Sequence, residues 1–138
     1  MKKLFFSTTP FLQDLGLAIL RISTSLMLVP HGWGKIENFS ERLTTFRDPI
    51  GLGSALSLQL VIFAEFFCAI LLALGFLSRL SLIPLIINMT VIVFVVHAGK
   101  PLSDKETALL YLVIFVFLMF SGPGKYSVDA QIKKNRPY

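Results

Sequence analysis

With one cysteine among 138 residues, Cys68, the chain has no intrachain disulfide and no C-x-x-C pair for dithiol chemistry. As a small apolar residue, Cys68 is expected to pack in the interior. The two histidines, His31 and His97, form no H-x3-H or H-E-x-x-H spacing with each other or with a carboxylate, so no metal site is expected. A dinucleotide fingerprint is missing too, as is a pair of haem ligands at helical spacing. No unit of repeat length recurs, which argues against a solenoid. Charge is scarce: 15% of residues are charged, against about 25% in soluble domains.

Apolar residues are abundant. Hydrophobic residues make up 54% of the chain and the mean hydropathy is +0.74. A soluble domain this small could not bury that much apolar surface in one core, whereas a bilayer removes the need. The formal charge of +5 does not point to nucleic acid, because the cations lie at the ends of apolar runs and form no basic stripe with interleaved aromatics. Lys2 and Lys3 resemble the start of a leader. The apolar stretch beyond them is interrupted by Pro10, Gln13, Asp14 and Arg21 and has no small-x-small cleavage site, so the first apolar segment is expected to be retained.

The pattern predicts an all-α fold, a four-helix transmembrane bundle in a single domain covering residues 1–138. A spanning helix needs about 20 residues, and the spans are expected at about 15–34, 55–77, 80–98 and 104–121, with a polar basic tail at 122–138 that is expected to fray. The first is the weakest, because it holds Arg21 and His31 and because Pro30 should kink or end it. The run Val91–Val96 is β-branched but continues an apolar segment, and an open strand would leave its backbone unpaired in hydrocarbon. The connector at 34–54 has room for a short interfacial helix. Positive charge sets orientation: the termini and the Arg79 turn carry 7 Lys and Arg and the other two connectors 5, which places both termini in the cytoplasm. Trp33, Phe39, Tyr111 and Tyr126 fall near the expected interfaces, where aromatic residues anchor.

Ionisable groups inside hydrocarbon carry the most information, since each costs about 2.5–3.5 kcal/mol to insert. At a rise of about 1.5 Å per residue, Arg21 lies roughly 10 Å from the inner edge and Glu65 roughly 13 Å from the outer edge. The remaining gap of about 7 Å is within reach of an arginine. Asn88 lies at similar depth. A buried polar network of Arg21, Glu65 and Asn88 is therefore expected, with Arg21 and Glu65 as an ion pair. It would act as a structural tie between helices or as the polar floor of a pocket or proton relay. Arg21, Thr24, Ser25, His31 and Lys35 share one helical face. Glu65, Cys68, Ala69 and Gly75 share another, mostly of small residues that allow close approach. An outer polar cluster is expected from His31, Lys35, His97 and Glu106, with Lys100 and Asp104 nearby; His97 falls opposite Asn88 on its helix.

Several stretches together resemble the DoxX family of small bacterial membrane proteins. They are Leu20-Arg21-Ile22, Pro30-His31-Gly32-Trp33-Gly34-Lys35, Ala64-Glu65 with Leu74-Gly75-Phe76-Leu77-Ser78-Arg79, Glu106 with Ala108-Leu109-Leu110-Tyr111, and Gly122-Pro123-Gly124-Lys125-Tyr126-Ser127-Val128-Asp129. The resemblance runs from about Leu15 to Ala130. It implies four helices in the bacterial cytoplasmic (inner) membrane and a link to quinone-coupled redox, including the small membrane subunit of a thiosulfate:quinone oxidoreductase. It carries over Arg21, His31, Lys35, Glu65 and Glu106 as candidate functional residues.

Two functions are expected. The first is a quinone-interacting or accessory subunit of a membrane oxidoreductase system, with quinone as its only cofactor and none bound covalently. Here His31, Lys35 and Glu65 are the catalytic candidates, His31 as proton donor and Lys35 stabilising negative charge on a reduced headgroup. The second is a non-enzymatic scaffold or assembly subunit. A small-molecule transporter is a third and weaker reading, since four helices leave little room for paired repeats. The expected partners are the bilayer, an oxidoreductase subunit or a second copy of the chain, and no nucleic acid.

Overall fold

The computed structural model describes residues 12–135; Lys2, Lys3, Pro10 and Arg136, which enter the leader and charge arguments, lie outside them. Helix α1, Gln13–Glu37, has 25 residues. Its buried residues Leu17, Ala18, Arg21, Thr24, Ser25, Leu28 and Gly32 recur at steps of three and four, the stripe of a helix with one face on a bundle. The expected break at Pro30 does not occur, and the helix runs seven residues beyond it. Pro30 is exposed, so its ring points away from the bundle and the helix loses only the one bond its missing N–H would make.

A short helix, α2, Phe39–Thr45, occupies the long connector. The connector closes on Asp48, whose carboxylate accepts the N–H groups of Gly51, Leu52 and Gly53 and the hydroxyl of Ser57. These bonds, the Gly53 N–H first among them, hold the Asp48 carboxyl below the usual carboxylate range and aim the chain into α3, Ser54–Leu74. Within α3 the segment Phe63–Cys68 widens to a π-helix. The helix ends at Gly75, in the left-handed region at φ +69°, an ordinary helix terminator. Helix α4, Ser78–Val96, starts after a tight turn and closes in a second π-helical segment, Ile92–Val96; the β-branched run at its end is helical. Helix α5 is Leu102–Ser121 and α6 is Val128–Lys134, its N-terminus capped by the Ser127 hydroxyl, which accepts the Ala130 N–H.

Among the described residues the regular structure is all-helical. Three helices, α1, α3 and α4, are long and apolar enough to cross a membrane. The expected fourth span falls in α5, whose first turns carry Asp104, Lys105 and Glu106 and whose remainder is apolar. Helix α1 packs on α3, α3 on α4, and α4 on α5, around a core that includes Leu28, Ala69, Leu72, Leu85, Met89 and Phe115. Helices α1 and α3 approach closely at Gly32, where a Cβ would stand 2.8 Å from both the Cβ and the backbone nitrogen of Phe66. That contact needs a residue without a side chain, and it sets the level at which α1 and α3 meet. The outer faces of the long helices are lined with exposed Leu, Ile, Val and Phe, as a lipid-facing surface is.

The tail does not fray as expected. Gly122 to Lys134 folds back across the end of the bundle where α1 begins. Three sets of bonds hold it there: Asp129 N–H donates to the Gly75 carbonyl at 2.9 Å, the Asp129 carboxylate accepts Leu77 N–H at 2.8 Å and Ser78 N–H at 2.9 Å, and Lys125 pairs with Asp14 through both its N–H and its ammonium.

Candidate functional site

Glu65 sits inside the π-helical segment of α3, and such segments are frequent at functional sites because the extra residue re-aims the side chains around it. Its side chain is 5% exposed. The Lys35 ammonium, from the last turn of α1, forms an ion pair with Glu65 Oε2 and also donates to the His31 carbonyl at 3.3 Å. The amide of Asn88, on α4, donates from Nδ2 to Glu65 Oε1 at 3.1 Å. One carboxylate thus joins three helices. The Gly32 crossing beside it brings α1 close enough for Lys35 to reach inward, and Trp33 packs on Phe66 with ring centroids 5.7 Å apart. Tyr111 of α5 packs on the same core, stacked on Phe115.

Asn88 also lines a groove between α3 and α4. Its volume is about 320 Å³ and its walls are almost wholly apolar, from Leu60, Val61, Phe63, Pro84, Ile87 and Val91. Pro49 and Ile50 of the connector close it at one end. Two of its lining side chains are polar, Asn88 and Ser57: Asn88 donates one of its two amide N–H groups to Glu65, and the Ser57 hydroxyl donates to Asp48. A second apolar groove of about 290 Å³ continues along the same seam, sharing Phe63 and Pro84 and reaching Leu77.

The expected ion pair between Arg21 and Glu65 is not formed. Arg21 is buried, 1% exposed, and donates from Nη1 to the Pro123 carbonyl at 2.9 Å and from Nη2 to the Tyr126 carbonyl at 2.7 Å. The expected pairing required both helices to enter the membrane at matching levels. The Gly32–Phe66 crossing sets a different register, which puts Arg21 level with Gly75: a Cβ there would lie 2.3 Å from Arg21 Nη1. Gly75 is ten residues beyond Glu65, about 15 Å along the helix, too far for an arginine. Of the expected network, Glu65 and Asn88 meet, Lys35 replaces Arg21, and Arg21 holds the folded-back tail.

The expected outer cluster is dispersed. Lys35 turns inward. His31 is exposed, and so are Glu106, Lys100 and Asp104; His97 is half-buried, with no partner for Nδ1 among the described residues. His31 and Lys35 stand one turn apart on the helix, but His31 falls at the edge of the buried stripe and stays exposed while Lys35 turns inward. Among the described residues no group of His, Cys, Asp and Glu could hold a metal ion.

The sequence reading missed the roles of Asp129 and of the 122–127 loop, whose carbonyls and glycines give no signal in side-chain chemistry. It also missed Asp48, although the Asp-x-x-Gly-x-Gly spacing ahead of an apolar run was a legible turn signal. Burial raises the Asp129 carboxyl, but the N–H groups of Ser78 and Leu77 and the charge of Arg21 outweigh it and hold the group below its usual range. A carboxyl depressed by folding stabilises above its ordinary value, near 3.8, and loses that contribution as pH falls through the folded value. Asp129→Ala is therefore expected to lower stability at neutral pH by about 1 kcal/mol, as the loss of a helix cap does. The stabilities of variant and unaltered protein should converge at acid pH, once the carboxyl is protonated in the folded state as well. Denaturant unfolding in detergent at the two pH values checks this; a difference independent of pH would contradict it.

The family model for DoxX matches residues 16–98. An uncharacterized protein of Haemophilus influenzae is 32% identical over 125 residues, 86% of this chain and 91% of its own length. The inner membrane protein YqjF of Escherichia coli is 27% identical over 129 residues, 89% of this chain and 96% of its own. An uncharacterized membrane protein of Mycobacterium tuberculosis is 30% identical over 84 residues, about half of each chain. No solved structure matches the chain significantly.

Proposed function

The chain belongs to the DoxX family and is an integral, multi-pass protein of the inner membrane, and from that premise we propose that it serves a membrane oxidoreductase system as a quinone-interacting or accessory subunit. The observation that supports this reading is the position of Glu65: an ionisable group far inside the apolar part of the chain, tied by Asn88 to a groove open to lipid. A redox-active isoprenoid would supply the electron chemistry, and the apolar walls fit its tail. The chain's own residues bind, orient and handle a proton. Asn88 fixes the Glu65 carboxylate at the edge of the groove. Glu65 takes up or gives the proton at a carboxylate oxygen. Lys35, 18% exposed, balances its charge and opens toward the connector end, where the proton exchanges with water. His31, exposed on the edge of α1, takes no step. In this reading α5 is the fourth span and both termini lie in the cytoplasm, the side favoured by positive charge.

In membrane vesicles Glu65→Gln is expected to lower quinol turnover at least about 100-fold, the loss of a general acid–base group, while His31→Ala leaves it near the unaltered rate. A correctly inserted Glu65→Gln protein with full turnover would end this assignment. A second reading, a scaffold subunit, draws on the fact that Lys35, Glu65 and Asn88 tie three helices together. Purification in mild detergent separates the two: a stable partner subunit without extractable quinone favours the scaffold.

A further inference from the structure

The end of the bundle where the tail folds back holds a cleft of about 530 Å³. It lies between the start of α4 and the returning tail, and its walls include Leu77, Arg79, Leu80, Pro123, Asp129 and Lys133. Arg79 and Lys133 come from different helices. Both are exposed, and among the described residues neither pairs with a carboxylate. The acid in the wall, Asp129, already accepts an N–H group on each oxygen, Leu77 on Oδ1 and Ser78 on Oδ2. The cleft therefore favours an anion. Leu77 and Leu80 also line the apolar groove of about 290 Å³ that runs on between α3 and α4 to Phe63 and Pro84. Ser81 in that groove spends its hydroxyl proton on the Leu77 carbonyl. A basic cleft and a hydrocarbon groove thus meet end to end. The tail beside them exposes Tyr126, Val128 and Ile132 together with Lys133 and Lys134, the mixture of a segment lying along a membrane surface.

We propose that the cleft and the groove together bind one anionic glycerophospholipid of the phosphatidylglycerol kind, its phosphate between Arg79 and Lys133 and one acyl chain along the seam as far as Phe63 and Pro84. The guanidinium offers phosphate oxygens a fork of N–H donors, and the ammonium acts as a point charge. A zwitterionic lipid would bring a cation of its own beside these two. From Leu77 to Pro84 is about 10 Å along the helix, within the roughly 15 Å that one leaflet contributes to the hydrocarbon core, so headgroup and chain fall at the levels a lipid requires. The groove beside Asn88 begins at the same Phe63 and Pro84, where this chain stops, and the lipid site is independent of the redox reading. A lipid held this way bridges α4 and the tail and stabilises the folded-back arrangement, as any ligand of the native state does.

The full chain, delipidated in mild detergent, is titrated with dioleoyl phosphatidylglycerol and with dioleoyl phosphatidylcholine, and the apparent Kd of the first bound lipid is read by native mass spectrometry. The two lipids share their chains, so partitioning alone gives them one affinity. Phosphatidylglycerol is expected to bind at least about tenfold tighter, as two cations near a membrane surface allow. The double variant Arg79→Gln with Lys133→Gln is expected to bring the two lipids together. The double variant Arg42→Gln with Lys100→Gln removes the same charge from exposed positions at the other end of the bundle and is expected to keep the preference. Equal binding of the two lipids by the unaltered protein overturns the proposal whether or not any variant folds. So does a preference that survives loss of Arg79 and Lys133, or one lost equally with Arg42 and Lys100, which would make it a matter of net charge. Glycerophosphoglycerol, the headgroup without its chains, is expected not to displace the lipid at millimolar concentration. Full displacement would overturn the placing of a chain in the groove.

Discussion

Arg21→Leu is expected to destabilise the protein by about 3 kcal/mol or more, enough to lower its accumulation in the membrane. Arg21 is one of the largest fully buried side chains, and its guanidinium is the donor to two backbone carbonyls, Pro123 and Tyr126. Removing it ends two hydrogen bonds from a charged donor, at about 1.5–3 kcal/mol each. It also releases the loop that carries Asp129 to the start of α4. Gly75 shows how closely the guanidinium is held, since a Cβ there would overlap both Arg21 Nη1 and Ser127 Cβ. Arg21→Lys is expected to recover little, because a single ammonium on a shorter stem cannot span two carbonyls in a fixed fork. The measurement is the denaturation midpoint in mixed micelles together with protease cleavage of the tail after Gly122. An Arg21→Leu protein as stable as the unaltered one, with a protected tail, would show that the loop holds itself.

The second large effect is expected at the opposite end of α1. Lys35→Met should cost about 3–5 kcal/mol at neutral pH, the usual result of stripping the partner from a buried charge, while the double variant Lys35→Met with Glu65→Gln recovers most of it. The two single losses are unequal. Glu65 is short and lies mid-helix, so its carboxylate has no route to water. Lys35 lies near the end of its helix on a long stem, and without Glu65 it can swing toward the connector end. Glu65→Gln alone is therefore expected to cost less than Lys35→Met alone, and Gln can still accept from Asn88. The double-mutant cycle in mixed micelles reads the coupling. A double variant as unstable as Lys35→Met would mean that the lysine acts through packing and not through its charge.

The stability and function tests act on different atoms, which separates a tie between helices from a proton-handling group. Glu65→Gln keeps the shape and an acceptor for Asn88, and removes both the ability to hold and release a proton and the charge that pairs with Lys35. A folded Glu65→Gln protein that fails in turnover therefore points to chemistry, and one that fails only in accumulation points to the tie.

Much of the fold was legible in the sequence. The long apolar runs, the short helix in the connector, the helical state of Val91–Val96 and the buried positions of Arg21, Glu65 and Asn88 come from hydropathy and periodicity, which are properties of each segment by itself. The boundaries moved by a few residues where local chemistry intervened: Gly75 ends α3 before the apolar run does. The two π-helical segments were not legible, because widening a turn answers to packing against neighbouring helices and leaves no fixed mark in composition.

Composition and hydropathy were enough to mark a membrane protein, with three of the four expected spans long and apolar enough to cross, and to require that an arginine and a glutamate inside the apolar segments find partners, since hydrocarbon offers none. Which partners they find is settled by how the helices pack. That choice depends on the axial register between α1 and α3, set where Gly32 lets the two backbones touch at Phe66, and on a tail that folds back to present carbonyls to Arg21. Both are relations between distant parts of the chain; a shift in register is invisible to the pattern of either helix and exchanges one buried ion pair for another.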